Sequence, residues 1–241
     1  MFNPLLVLPL SELLLSTLNL RMFVEHRDRI PQDATVMVVS NHRSFMDALI
    51  LIKALEKPLR IACHHYMGEM PMLRELVTTL GCFPLAEPPQ RSRMFLQQGG
   101  EFLESRQWLG IFPEGAQPMV NLTLPNQVGQ FETGFAHLVF KARIDNLVVL
   151  PVAIASQRES VHKVLPLKFL QFFDPSEPLF TDSGLHPVVV YERVDVLIGH
   201  PYWITALHQA KYRGEQRKRL AYDLRDYCRQ EIITMLKEHR F

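Results

Sequence analysis

Apolar and polar positions along this chain alternate between short runs of β-branched residues and longer stretches in which leucine and methionine recur every three or four residues. Val36-Met37-Val38-Val39 reads as a buried strand over 35–39, followed by a helix over 45–55 that stops before Pro58. Residues 59–63 form a second short strand. From 66 to 80, Met67, Met70, Leu73, Leu76, Val77 and Leu80 recur at helical spacing and predict one helix, which Gly81 ends. A strand over 82–85, a helix over 91–106 and a strand over 108–112 follow. Residues 116–130, rich in proline, asparagine and glutamine, predict an exposed loop. Next come a helix over 130–143 and a buried strand over 147–154, whose Pro151 is expected at a bulge or an edge. Past Pro166 the chain reads as irregular to Pro187, and 188–198 as a peripheral strand. From Trp203 onward it reads as largely helical. Strands alternating with helices predict an α/β fold, a mixed, partly parallel sheet flanked by helices, without internal repeats or low-complexity segments.

Residues 2–20, FNPLLVLPLSELLLSTLNL, are apolar over about the length a bilayer-spanning helix needs, but Pro4, Pro9 and Glu12 interrupt them. Three placements fit: a span, a helix lying in the membrane interface, or a helix packed on the body. Arg21, Arg27 and Arg29 follow at once and, for a span, hold the body on the cytoplasmic side. No basic region follows Met1, which argues against a cleaved signal peptide. Residues 1–30 are therefore expected to be a membrane-associating segment, ahead of a single domain over 31–241.

Composition narrows the partners. The chain has 241 residues, 47% of them hydrophobic, enough for one sizeable core. Its 26 Lys and Arg against 25 Asp and Glu leave a formal net charge of +1, so no global field points to nucleic acid, and an anionic partner must be met locally. Cys63, Cys82 and Cys228 lack the spacing of a zinc site or a disulfide framework and read as reduced thiols. No metal site is expected: His64 and His65 have no third ligand near at metal-binding spacing and read as a packed or solvated pair. Arg217, Lys218 and Arg219 are offset by Glu215, Asp223 and Asp226 and read as a charge-mixed helix face.

The chemistry concentrates where strands end. Asn41-His42-Arg43-Ser44-Phe45-Met46-Asp47 follows the strand over 35–39, where α/β folds place their sites. A spacing of five does not stack two side chains on one helix face, so His42 belongs in the turn, from which its ring can fold back onto Asp47. A carboxylate on one imidazole nitrogen fixes the tautomer while the other nitrogen takes a proton, as in a general base. Alone, such a pair is more often a structural contact than a catalytic one. A second strand-end turn, Ile111-Phe112-Pro113-Glu114-Gly115, changes the balance, since two such turns can converge along one rim of a sheet. There Glu114 can accept from a substrate hydroxyl, and Gly115 lets a backbone N–H approach an oxyanion or a phosphate. Ser44 is a rival nucleophile but lacks the G-x-S-x-G elbow of a hydrolase.

At these residues the chain resembles the glycerolipid (lysophospholipid) acyltransferase family, over about residues 35–202. Asn41-His42 with Asp47 is similar to the family's NH-four-residues-D motif, and Phe112-Pro113-Glu114-Gly115 to its FPEG motif. Leu150-Pro151-Val152-Ala153-Ile154 looks like the late VPV-type strand, and Ile198-Gly199-His200-Pro201 like the closing IGxP segment. The resemblance implies an acyltransferase domain over 31–241. In it His42 is the base, Asp47 its orienting partner, and Asn41, Glu114 and Gly115 brace the turn and position the acceptor. It implies transfer of a fatty acyl group from acyl-CoA or acyl carrier protein, as co-substrate and without a cofactor, to a lysolipid hydroxyl. The acceptor is 1-acylglycerol-3-phosphate or another lysophospholipid, and the setting is phospholipid biosynthesis at a membrane surface. The alternative is an inactive lipid-binding or scaffolding protein of the same fold. Two family arginines that clamp phosphate are replaced by Glu87 and Gln117, and Arg91 and Arg93 stand nearby as substitutes.

Overall fold

The computed structural model describes residues 3–87, 89–115, 117–166 and 185–239. An eight-stranded sheet is built from β1 (Arg21–Glu25), β2 (Thr35–Ser40), β3 (Leu59–Cys63), β4 (Cys82–Pro84), β5 (Trp108–Ile111), β6 (Leu147–Pro166), β7 (Leu185–Ile198) and β8 (Tyr202–Ile204). The order is β1-β7-β6-β2-β5-β3-β4, with β8 beside β6. β6 runs antiparallel to β7 and β8, and every other neighbouring pair is parallel. The expected mixed α/β sheet is present.

Helices cover both faces: α1 (Pro4–Thr17), α2 (Asp47–Leu55), α3 (Tyr66–Glu69), α4 (Pro71–Thr79), α5 (Arg91–Glu104), α6 (Gln117–Val120), α7 (Gly134–Lys141), α8 (Ala206–Lys211) and α9 (Gln216–Glu238). Along β2, Val36 and Val38 pack with Ile50, Leu51 and Leu15 on one face, whereas Met37 and Val39 pack with Phe135, Leu138 and Ile232 on the other. A strand buried on both sides has no polar face to alternate with, which is why its sequence is a continuous apolar run.

Several elements depart from the sequence expectation. The single helix over 66–80 is two, because Met70 is extended (φ −84°, ψ 112°) before Pro71, whose ring disfavours a helical residue ahead of it. β7 lies between β6 and β1 and is not peripheral; the edge belongs to β1, which directly follows the apolar stretch over 2–20, so the sheet takes in residues ahead of the expected domain start at 31. Trp203 lies in β8, so helix resumes only at α8. β6 runs on to Pro166, and of the stretch expected to be irregular, 167–184 lies outside the described residues. Pro151 sits where β8 has stopped pairing with β6 (147–149) and β7 has not begun (from 152), a gap in the ladder that tolerates a missing N–H.

α1 packs on α2 through Val7, Ser11 and Leu15, spaced by four, and Lys53 of α2 donates to Glu12 at 2.6 Å. Leu5, Leu6 and Leu13 are exposed on its outer side. Among the described residues no helix is long and apolar enough to cross a membrane.

Candidate active site

β2 and β5 are adjacent and parallel, with Val39 level with Ile111, so the turns that follow them emerge side by side at one rim of the sheet. That register brings residues 42 and 114 together. The Asn41 amide continues the ladder beyond β2, donating to Ile154 O at 3.0 Å and accepting from Ile154 N at 2.9 Å. Asn41 is thus a brace between β2 and β6. Next to it, His42 Nδ1 lies 2.8 Å from Asp47 Oδ2. This bond assigns the Nδ1 proton to the carboxylate and leaves Nε2 as the accepting nitrogen. The same Asp47 oxygen accepts the backbone N–H groups of Arg43 (2.7 Å) and Ser44 (2.8 Å), which compensates for the burial of the carboxylate. The His42 ring stacks on Phe112 with centroids 4.2 Å apart and 14° between planes, and its side chain is 17% exposed.

Glu114 is nine-tenths buried and makes two backbone contacts. Oε1 accepts the His42 N–H at 3.0 Å, and Oε2 accepts the Gly129 N–H. Burial raises its pKa, opposed by these two hydrogen bonds. Glu114 therefore holds the turn that carries His42, where the sequence had it receiving a substrate hydroxyl. Gly115 differs too: its φ of +66° is the left-handed conformation glycine tolerates, but its N–H donates to Phe112 O at 3.1 Å, closing the turn, and so is engaged within the protein.

Two residues between His42 and Asp47 also reach across the fold. Arg43 is 4% exposed; its guanidinium makes a bidentate pair with Glu159 (2.6 and 2.9 Å) and donates to Thr123 O (3.0 and 2.7 Å). Ser44 Oγ donates to Val189 O at 2.6 Å and accepts the Met46 N–H at 3.1 Å, so the rival nucleophile is a buried structural hydroxyl. Tyr191 of β7 is buried with its ring towards the same site, its pKa raised well above the usual phenol value first by burial and then by the charge of Asp47. Nothing in the short motif foretold Glu159 or Tyr191, because their partners are more than a hundred residues away in sequence.

A cavity of about 360 Å³ opens beside His42. Its walls include Phe45, Ala48, Leu73, Val77 and Phe112 and extend to Leu14 and Leu18 at the end of α1.

The sequence model of the Acyltransferase family matches residues 21–155, more than half of the chain and all of both turns. The chain belongs to the Acyltransferase family. A protein of Mycoplasma pneumoniae described as "Probable 1-acyl-sn-glycerol-3-phosphate acyltransferase" is 25% identical over 150 residues, 60% of this chain and 53% of that protein. The chain thus spans about half the length of that relative. The crystal structure of the 1-acyl-sn-glycerophosphate (LPA) acyltransferase PlsC from Thermotoga maritima superimposes with a TM-score of 0.63 at 18% identity, over 98% of this chain and 79% of that one, and so shares the fold.

The arginines expected near the acyltransferase acceptor separate. Arg91, at the start of α5, lines the cavity, whereas Arg93 is exposed and outside its lining. Glu87 lies 3.3 Å from His65 Nε2, and His65 Nδ1 is 3.2 Å from Leu85 O, so this half of the histidine pair is a packed one. Gln117 is exposed at the start of α6. Among the described residues no group of three or more His, Cys, Asp or Glu could hold a metal ion.

Proposed function

We propose that this acyltransferase moves a fatty acyl group from a thioester, acyl-CoA or acyl carrier protein, to the hydroxyl of a lysolipid. The acceptor is 1-acylglycerol-3-phosphate or another lysophospholipid, and the step is one of phospholipid biosynthesis. The observation that carries the reading is an imidazole oriented by a buried carboxylate, its Nε2 unengaged by the described residues, at the wall of an apolar cavity. Such a pair removes the proton of a hydroxyl as it attacks, and the cavity offers an aliphatic chain a dry surface. The names of the relatives support the acceptor class.

In this mechanism His42 Nε2 accepts the proton of the acceptor hydroxyl while its oxygen attacks the thioester carbonyl carbon. Asp47 orients the ring and stabilises the imidazolium. The tetrahedral intermediate collapses with cleavage of the C–S bond, and the thiolate leaves with the proton from His42. A thiolate leaves readily, so neither an acyl-enzyme nor a cofactor is required. Arg91 meets the acceptor phosphate from the cavity wall.

The protein works at a membrane surface, on the cytoplasmic side, with α1 as the membrane-associating segment, since residues 21–25 of the expected 1–30 segment are a strand of the sheet. Support comes from the exposed Leu5, Leu6 and Leu13 on a helix whose end lines the same cavity. At 14 residues α1 is about 21 Å long, short of the ~30 Å hydrocarbon core, which favours lying in the interface over crossing it. The intact His42–Asp47 pair weighs against the inactive scaffold.

The test is thiol release by purified protein offered acyl-CoA or acyl carrier protein with a panel of lysolipids. Turnover by wild type that His42→Ala abolishes is the expected result. Equal rates in the two proteins with every donor and acceptor would overturn the reading.

A further inference from the structure

The C-terminal helix α9, beyond the part of the chain that the family model matches, reaches the catalytic turn through one peptide unit. Arg229 Nη2 donates to Val128 O at 3.0 Å and Nε to Gly129 O at 2.6 Å. Two bonds from a planar guanidinium to consecutive carbonyls fix orientation as well as position. The N–H of the same 128–129 peptide, which in a trans unit points opposite to the Val128 carbonyl, donates to Glu114 Oε2. Arg229 thus polarises the peptide on one edge and strengthens its donation on the other. The approach is close: a Cβ on Gly129 would stand 2.9 Å from Glu114 Oε2. The other Glu114 oxygen accepts the His42 N–H.

We propose that Arg229 is a positioning residue for His42: it orients the 128–129 peptide so that the Gly129 N–H seats Glu114, and Glu114 in turn seats the backbone of His42. The proposal rests on the acyl-transfer reading for its kinetic consequence, but the linkage itself is structural. Burial raises the pKa of Glu114, and the Gly129 amide heads the forces opposing it, ahead of the His42 amide. The charged groups facing Glu114 are His42, which lowers its pKa, and Asp47, which raises it. Withdrawing the Gly129 donor therefore lets Glu114 protonate at higher pH, and the His42 amide then loses a charged acceptor.

The experiment compares wild-type full-length chain with Arg229→Gln and Arg229→Lys, which retains the charge but not the planar fork. Steady-state turnover is measured across pH with the donor and acceptor that wild type uses. Arg229→Gln is expected to lower kcat on the order of tenfold with little change in KM, as for one weakened hydrogen bond to a charged group. The acid limb of its kcat profile should lie at higher pH than in wild type, with Arg229→Lys in between. The His42 backbone amide resonance, whose shift follows ionisation of Glu114, is titrated in the same proteins and should show the same displacement. Unchanged inflections in kinetics and resonance, or a loss of kcat that tracks melting temperature without moving them, would overturn the assignment. If Arg229→Gln does not fold, Arg229→Lys is judged by the same criteria. Absence of turnover in wild type would count against the acyl-transfer reading alone, because the resonance reports the linkage without catalysis.

Discussion

The carboxylate of Glu114 accepts the backbone N–H of His42 at 3.0 Å, across 72 residues of sequence. One strand-end turn is thus the scaffold of the other. The acidic residue of the FPEG turn holds His42 by its main chain, while Asp47 holds it by its ring. The dyad has one support for position and another for protonation state.

Asp47→Asn separates the two. An amide oxygen can still accept from His42, Arg43 and Ser44, but it carries no charge to stabilise an imidazolium, and its NH2 can reverse the imidazole tautomer. Turnover should fall on the order of 10³-fold or more with a small change in KM, as single-turnover and steady-state assays would show.

Ser44→Ala should leave the chemistry largely in place and weaken the fold. Its hydroxyl ties the turn to Val189 O and takes the Met46 N–H, so its loss leaves buried backbone groups short of a partner, costing about 1–2 kcal/mol in denaturant unfolding. Wild type should not be labelled by a serine-reactive phosphonate. Labelling that Ser44→Ala removes would restore the hydrolase reading.

Glu159→Gln should destabilise the protein more, by about 3 kcal/mol, because it strips the charge partner from a buried Arg43. Its pH dependence has a definite sign. Burial alone would raise the Glu159 carboxyl, but the hydrogen bonds and charge of Arg43 outweigh it and hold the group below the usual carboxylate range. Stability from a depressed carboxylate is present above its unfolded value and lost as pH falls through the folded one. The wild-type melting temperature should therefore fall more steeply than that of Glu159→Gln below about pH 4.3.

Ala48→Phe tests the cavity. Ala48 follows Asp47 on α2 and lines the space beside His42, so a ring there removes volume from the proposed acyl path. In a competition between lauroyl and stearoyl donors, the variant should shift towards the shorter chain. An unchanged ratio would place the acyl chain elsewhere.

Much of the architecture was legible in local pattern. The apolar runs at 35–39 and 147–154 are strands buried on both faces, and those at 59–63 and 108–111 are strands buried or half-buried throughout, so burial leaves its mark residue by residue. β1 was not legible, since Arg21–Glu25 is an edge strand that alternates between exposed and half-buried and gives only a weak signal. The periodic stripe over 66–80 predicts one helix because it continues through Pro71, although the helical conformation is broken at Met70.

By itself the sequence determined the α/β class, the two strand-end turns and the pairing of His42 with Asp47, because each depends on residues within a few positions of one another. Tertiary structure alone decided what the other polar residues do. Parallel pairing of β2 with β5 turned Glu114 from a substrate contact into a brace for His42. The course of β6 and β7 gave Arg43 and Ser44 partners at Glu159 and Val189, and α9 placed Arg229 behind Gly129. Those roles are fixed by register and burial between distant segments. A buried polar atom takes whatever partner the fold brings within 3 Å or so, and sequence spacing carries no record of that choice.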